Sequence, residues 1–251
     1  MILNEQQIGD MKEGGKMLAE MLRELSAAAK PGVTTSELET LARELIKRAN
    51  VAPSFLDYNG YPAVLCASVN EEAVHGVPSG RKLKEGDLLT LDFGIVHKGL
   101  HTDSAVSLIV SEDPTKKEYA EKRKLMRVTR EALYAGIAAA RVGNTLGDIG
   151  AAIEKVVEQD NDLTIVRELG GHGIGHTLHE EPFVANLGEP GHGTKLVEGM
   201  ALALEPIVSN GDWKIKDSSD GFGYITKDRS LVAHFEHTIV ITKGDPIIIT
   251  E

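Results

Sequence analysis

The sequence predicts an α+β fold made of two related halves, each a pair of helices followed by strands of an antiparallel sheet. Three echoes along the chain predict it. Lys30-Pro31-Gly32-Val33-Thr34-Thr35-Ser36-Glu37-Leu38 recurs as Arg141-Val142-Gly143-Asn144-Thr145-Leu146-Gly147-Asp148-Ile149. Glu85-Gly86-Asp87-Leu88-Leu89-Thr90-Leu91-Asp92 recurs as Glu198-Gly199-Met200-Ala201-Leu202-Ala203-Leu204-Glu205, and His101-Thr102-Asp103 recurs as His234-Phe235-Glu236. One such echo is within the reach of chance; three in the same order argue for a duplicated helix-helix-strand unit.

Each element follows from local chemistry. Residues 5–29 and 116–140 are rich in Ala, Leu, Lys and Glu and read as long helices that open the two halves. Thr34 with Glu37, and Thr145 with Asp148, have the spacing of a helix start in which hydroxyl and carboxylate satisfy free backbone donors. Leu38, Leu41, Ala42, Leu45 and Ile46 then recur at helical spacing, as do Ile149, Ala152, Ile153, Val156 and Val157, so both second helices are one-faced and amphipathic. Residues 88–96 and 99–110 read as strands around a turn at His97-Lys98. That hairpin places Asp92 directly opposite Asp103 on one face. In the second half Glu205 and Glu236 take the equivalent places, with a longer connection that carries a polar, glycine-bearing insertion at about residues 210–227.

Bulk composition limits the function. A chain of 251 residues with 41% hydrophobic content buries a substantial core. Cys66, the single cysteine, excludes an intramolecular disulfide framework and points to a reducing compartment, the cytoplasm. The start of the sequence lacks a basic segment followed by an apolar run, and no stretch approaches the roughly 20 apolar residues of a membrane span. A soluble protein is expected. A formal charge of -11 opposes broad phosphate binding, so nucleic acid is not expected as the main partner.

Asp92 and Asp103 facing each other on a hairpin would repel, and a divalent cation between them removes the repulsion. On a solvated face such a pair needs no cation, but the repeated acids in the second half favour the metal. Packing the halves about a pseudo-two-fold axis brings four carboxylates to one centre, which suits two metals. The stretch Gly170-Gly171-His172-Gly173-Ile174-Gly175-His176 spaces two histidines like a zinc-protease helix, but its glycines oppose a helix and the glutamate of that motif is missing. The glycines instead allow close backbone approach and let His172 turn inward from a strand or loop as a nitrogen ligand. Most other histidines read as packed or solvated side chains. His101, His234 and His237 flank acids, where support of a ligand and plain surface exposure are equally good readings. Cys66 sits in an apolar run and reads as a packing residue rather than a nucleophile.

The motifs Cys66-Ala67-Ser68-Val69-Asn70, His75-Gly76-Val77-Pro78, Leu91-Asp92-Phe93-Gly94, Thr102-Asp103, Gly171-His172-Gly173-Ile174-Gly175, His179-Glu180-Glu181-Pro182, Glu205-Pro206 and Phe235-Glu236-His237-Thr238 together resemble the type 1 methionine aminopeptidases over nearly the whole chain. The resemblance implies a pita-bread fold with a curved antiparallel sheet inside and helices outside, as one catalytic domain over residues 1–251. It implies that Asp92, Asp103, His172, Glu205 and Glu236 hold two divalent ions, with Mn, Fe, Co and Zn all compatible. It further implies that Glu205 shuttles a proton, that His179 donates to the developing oxyanion, that His75 contacts the scissile amide nitrogen, and that Asp92 receives the substrate's amino group. Phe55, Tyr58, Tyr61, Cys66, Leu178 and Phe222 match the methionine pocket. Phe222 stands where a tryptophan is common, and Asn59 where many bacterial members carry histidine.

The implied activity is removal of the N-terminal methionine from nascent chains with a small second residue. The implied role is processing of new chains in the cytoplasm by the short form without an added zinc-binding segment; a monomer is expected, and ribosome association is left open by the sequence. Two other readings compete. A prolidase or aminopeptidase P shares the fold and metal set but usually carries a further N-terminal domain. A binding module without catalysis would have no use for five ligands and two site histidines.

Overall fold

The computed structural model describes residues 1–251 except Asp160 and Asp162. Helix α1 (Glu5–Ala28) begins at Asn4, whose side chain accepts from the Gln7 amide while the Gln7 side chain accepts from the Asn4 amide. Helix α2 (Thr35–Ala49) opens on the expected pair: the Thr34 N–H donates to Glu37 Oε2, the Glu37 N–H donates to Thr34 Oγ1, and the helix stops at left-handed Asn50. The strands β1 (Ala52–Pro53), β2 (Leu65–Val69), β3 (Glu72–Val74), β4 (Leu88–His97) and β5 (Leu100–Ile109) complete the first half. The second half repeats the opening. A single-turn helix at Lys117–Tyr119 leads into α3 (Ala120–Ala139), and α4 (Leu146–Glu154) begins where the Thr145 N–H donates to Asp148 Oδ2.

The strands β6 (Thr164–Ile165), β7 (Gly170–Gly173), β8 (Glu180–Ala185), β9 (Ala201–Leu204), β10 (Ile207–Ser209), β11 (Ile215–Asp217), β12 (Tyr224–Thr226), β13 (Val232–His234), β14 (His237–Val240) and β15 (Ile247–Ile248) follow. One sheet gathers β1, β2 and β5 around β4, and another runs β15-β14-β9-β7-β8. The pairings within both sheets are antiparallel.

Strand alternation sorts each sheet into two faces. Leu89, Leu91, Phe93 and Ile95 of β4 pack with Leu18, Leu22 and Leu25 of α1 and Leu38, Ala42 and Leu45 of α2. In the other half Leu202, Leu204, Ile239 and Ile241 pack with Leu125, Val128 and Leu133 of α3 and Ile149 and Ile153 of α4. Helices therefore cover the outer face of each sheet, and the alternate residues, Asp92 among them, point to the interior. Among the described residues no helix is long and apolar enough to cross a membrane.

Two expectations need correction. The β4–β5 turn is Lys98-Gly99, not His97-Lys98: His97 pairs with Leu100, and both turn residues have positive φ, 49° and 77°. A two-residue hairpin whose twist matches its strands requires that geometry, and glycine supplies it most cheaply. In consequence Asp92 pairs with Ala105 and Asp103 with Gly94, so the two acids are diagonal neighbours on one face rather than directly opposite. The insertion is also more ordered than its polarity suggests. It forms the β11–β12 hairpin, which adds to β3 from the first half.

Tight docking of the chain end on α1 gives a paired test of this packing. A Cβ on Gly15 would lie 2.1 Å from the Ile249 carbonyl oxygen, whereas one on Gly9 of the same helix meets nothing within 4 Å. Gly9→Ala is expected to raise unfolding free energy by about 0.5–1 kcal/mol through helix propensity. Gly15→Ala is expected to lower it by about 1–3 kcal/mol through overpacking, and urea unfolding of the two variants would read the opposite signs.

Candidate metal centre

The seam between the two sheets positions the acids. The Asp103 N–H donates to Thr238 Oγ1 at 2.9 Å, and the Thr238 hydroxyl donates back to the Asp103 carbonyl at 2.8 Å. Alongside, Ser104 Oγ donates to the Glu236 carbonyl at 2.7 Å, and the Glu236 N–H donates to the Ala105 carbonyl at 3.0 Å. These bonds tie β5 to the segment leading into β14, and so bring Asp103 and Glu236 together from opposite halves. Glu205 follows β9 directly, and its carbonyl accepts from Asn186 Nδ2 at 3.0 Å.

His172 comes from a strand, β7, paired with Ala203 on one side and Phe183 on the other. Its neighbours explain the glycines. A Cβ on Gly171 would lie 2.1 Å from the Ala203 carbonyl oxygen, and one on Gly173 2.4 Å from that of Glu181. Nδ1 of His172 lies 2.9 Å from the Gly173 carbonyl, which can only accept, so Nδ1 carries the proton and Nε2 presents its lone pair. That Nε2 is 3.6 Å from Glu205 Oε1.

Asp103, His172 and Glu236 each offer a ligand atom within 4.8 Å of the others, and all three are buried. Asp92 and Glu205 line the same cavity beside this triad. Burial pushes the pKa of Asp92, Glu205 and Glu236 well above the usual carboxylate range, and the neighbouring acids push them further. Asp103 is raised to about 7, mainly by burial. Burial acts the opposite way on the histidines, lowering His172 to about 4 and His179 to about 3. Asp92 Oδ1 and Glu236 Oε1 are buried without a hydrogen-bond partner among the described residues. Unpartnered carboxylate oxygens facing one another and an imidazole lone pair fit a divalent cation, which takes such oxygen and nitrogen donors and offsets their charge.

The centre forms the floor of a cavity of about 300 Å³. Every residue singled out in the sequence for the site lines it: the four acids and His172 above, His75 and His179, and Phe55, Tyr58, Tyr61, Cys66, Leu178 and Phe222. His75 follows β3 in a left-handed conformation, φ 58°, which turns it out of the strand. His179 stands edge-on to His172 with ring centres 4.3 Å apart, and its Nδ1 lies 2.9 Å from the Tyr58 hydroxyl. Tyr61 meets Phe222 edge-on at 5.6 Å. Cys66 lies in β2 and is buried, and burial raises its thiol pKa, so it lines the wall as an uncharged group.

Sequence reasoning missed some of the lining. Tyr224 and Gly221 reach the cavity from the β11–β12 hairpin, and the run Tyr224-Ile225-Thr226 was the strand signal inside that polar stretch. Val74 precedes His75 in β3 and also lines the wall. His234 is the larger omission, because it is buried rather than on the surface, with Nε2 3.6 Å from Glu205 Oε2.

A family model for metallopeptidase family M24 matches residues 9–243. A methionine aminopeptidase of Clostridium acetobutylicum is 43% identical over 250 residues, covering 99% of this chain and 98% of that protein. A crystal structure of methionine aminopeptidase from Thermotoga maritima superposes with a TM-score of 0.94 at 43% identity, covering 100% of this chain and 99% of that one. A prolidase from Pyrococcus furiosus shares the fold at a TM-score of 0.75 and 20% identity, with this chain spanning 65% of its length. The helices outside and antiparallel sheets inside are thus the pita-bread arrangement. On the match over residues 9–243 and the identity to relatives along its whole length, this chain belongs to metallopeptidase family M24.

Proposed function

We propose that the protein removes N-terminal methionine from nascent chains and peptides with a small second residue, using two divalent ions held by Asp92, Asp103, His172, Glu205 and Glu236. The observation that carries this reading is the cavity itself: buried acids and His172 at its floor, two histidines at its side and an apolar, aromatic wall. The naming of the full-length relatives as methionine aminopeptidases supports the substrate. Residues 1–251 act as one catalytic domain in this reading. The protein acts as a monomer in the same reading.

Bound divalent metal supplies Lewis-acid polarisation of the scissile carbonyl and a water acidified towards neutral pH. The protein's own groups do the rest. Glu205 carries a proton from the attacking water to the leaving amine, a role open to a carboxylate whose pKa is raised by burial. His179 Nδ1 lies 2.9 Å from the Tyr58 hydroxyl, which is able to donate to it; in that tautomer Nε2–H is free to donate to the carbonyl oxygen as charge develops on it. With its pKa near 3, His179 stays a neutral donor across the working range. His75 contacts the scissile amide nitrogen. Asp92 receives the free α-amino group, and Phe55, Tyr58, Tyr61, Cys66, Leu178 and Phe222 take the methionine side chain.

Two measurements test this. Metal-stripped protein is expected to release methionine from Met-Ala-Ser only after Mn²⁺ or another divalent ion is added, and to release no alanine from Ala-Pro-Ser; release of alanine alone would move the assignment to the proline-directed relatives. In the same assay Asp103→Ala should abolish turnover, and His179→Ala should lower kcat by about 10²–10³. The second measurement is thermal. Burial raises the Asp103 carboxyl in the folded metal-free protein from its ordinary 3.8 to about 7, so folding favours its protonated form. Its stabilising contribution is present below pH 3.8 and is lost as pH rises through about 7. Metal replaces that proton, so Mn²⁺ should raise Tm more at pH 8 than at pH 5.5, and an equal shift at both would contradict metal binding at this acid.

A further inference from the structure

We propose that His234 is a positioning residue of this centre, holding the Glu205 carboxylate from the side opposite His172; the inference rests on the metallopeptidase reading above. Glu205 lies between two imidazoles, with His172 Nε2 3.6 Å from one oxygen and His234 Nε2 3.6 Å from the other. Neither distance is a hydrogen bond: His172 Nε2 presents a lone pair and, in the reading above, shares a metal with Glu205, whereas a protonated His234 Nε2 is placed to close on Oε2 when metal and substrate are bound, as catalytic contacts often do.

Three observations separate His234 from an ordinary core residue. Strand alternation is the first. Ala233 and Phe235 belong to the core under α3, so His234 points the other way, with Glu236, into the interior. The second is its backbone. The His234 N–H donates to Ser107 Oγ at 2.9 Å and Ser107 Oγ donates to the His234 carbonyl at 2.9 Å, while His234 pairs with Ile207 in the β10–β13 ladder. The fold therefore uses the backbone here and needs nothing from the ring.

The third is the ring itself. The residue is 1% exposed, and both ring nitrogens are buried without a hydrogen-bond partner among the described residues. Burying an imidazole in this way lowers stability, and a leucine would avoid the loss. A polar group kept at such a cost needs a partner that matters, and among the described residues the geometry names Glu205. His234 is not among the residues lining the cavity, so it acts on substrate through Glu205 and does not touch it. An Nε2–H donated to Glu205 Oε2 would fix the carboxylate orientation from which it binds metal and passes a proton.

The test compares His234→Leu with His234→Gln, which restores a neutral N–H donor. For His234→Leu, the metal-free Tm should equal or exceed that of the unsubstituted protein. Calorimetric Mn²⁺ titration should show binding weakened about 10–100-fold at one site, and kcat on Met-Ala-Ser should fall by a similar factor with KM unchanged. His234→Gln should recover most of both losses. Unchanged metal affinity and kcat in the leucine variant would overturn the proposal. So would a lowered Tm in both variants with no recovery by glutamine, the pattern of a structural role. Metal binding without methionine release by the unsubstituted protein would count against the peptidase reading alone, since the Tm and calorimetric comparisons still decide the role of His234.

Discussion

Four carboxylates converge where the two halves of the sheet system meet, and their mutual repulsion is the constraint that the rest of the molecule accommodates. Asp92 and Asp103 come from one half, Glu205 and Glu236 from the other, and burial together with neighbouring charge raises Asp92, Glu205 and Glu236 in pKa. Such a cluster opposes folding unless something fixes its members more firmly than they repel. The Asp103–Thr238 and Ser104–Glu236 hydrogen bonds across the seam do this by anchoring the backbone of the two acids to buried threonine and serine hydroxyls. The large apolar cores under α1–α2 and α3–α4 then hold each strand's outer face, so that alternation forces the acids inward.

Duplication explains why the arrangement can exist at all. A single helix-helix-strand unit would present two acids on an open sheet face, where water would screen them and no closed site would form. Two units joined at β5 and β14 close the face. The halves are not identical in use, however. Asp92 and Asp103 lie within the β4–β5 ladder as diagonal neighbours, whereas the β9–β14 ladder ends at Leu204 and His237, just short of Glu205 and Glu236. Freed from strand pairing, the second pair can turn towards His172 and His234, and the first pair stays rigid. Glu205, the acid proposed to move a proton, is the one whose side chain remains 14% exposed.

Much of this was legible in the sequence because the signals were local or repeated. Thr34-Glu37 and Thr145-Asp148 marked the helix starts by chemistry that needs only neighbouring residues, and both are observed. The glycines around His172 were readable as a demand for close backbone approach, and the Ala203 and Glu181 carbonyls show what approaches. The hairpin register was misread because it hangs on which residues adopt positive φ, and Lys98 gives no outward sign of doing so. The β11–β12 strands were hidden in polar composition, since their partner β3 lies far away in the chain. His234 escaped for a related reason. Flanking an acid is compatible with surface or interior, and only the Ser107 contacts and the sheet register show that the ring is turned inward.

In the proposed reading the same geometry accounts for cutting at chain ends. Tyr61, Cys66 and Phe55 make one wall buried and uncharged, a place for an apolar side chain, while Asp92 lies buried in the same cavity. A free α-ammonium entering beside that wall brings a positive charge to an anionic floor and gains from the meeting. An internal residue of a longer chain would bring a neutral amide and a second stretch of backbone to the same place. The amide has no charge to offer, and the extra backbone would lose its water without finding partners. In the proposed reading, selection of the terminus thus follows from the acid that stands beside the apolar wall as much as from the shape of the cavity.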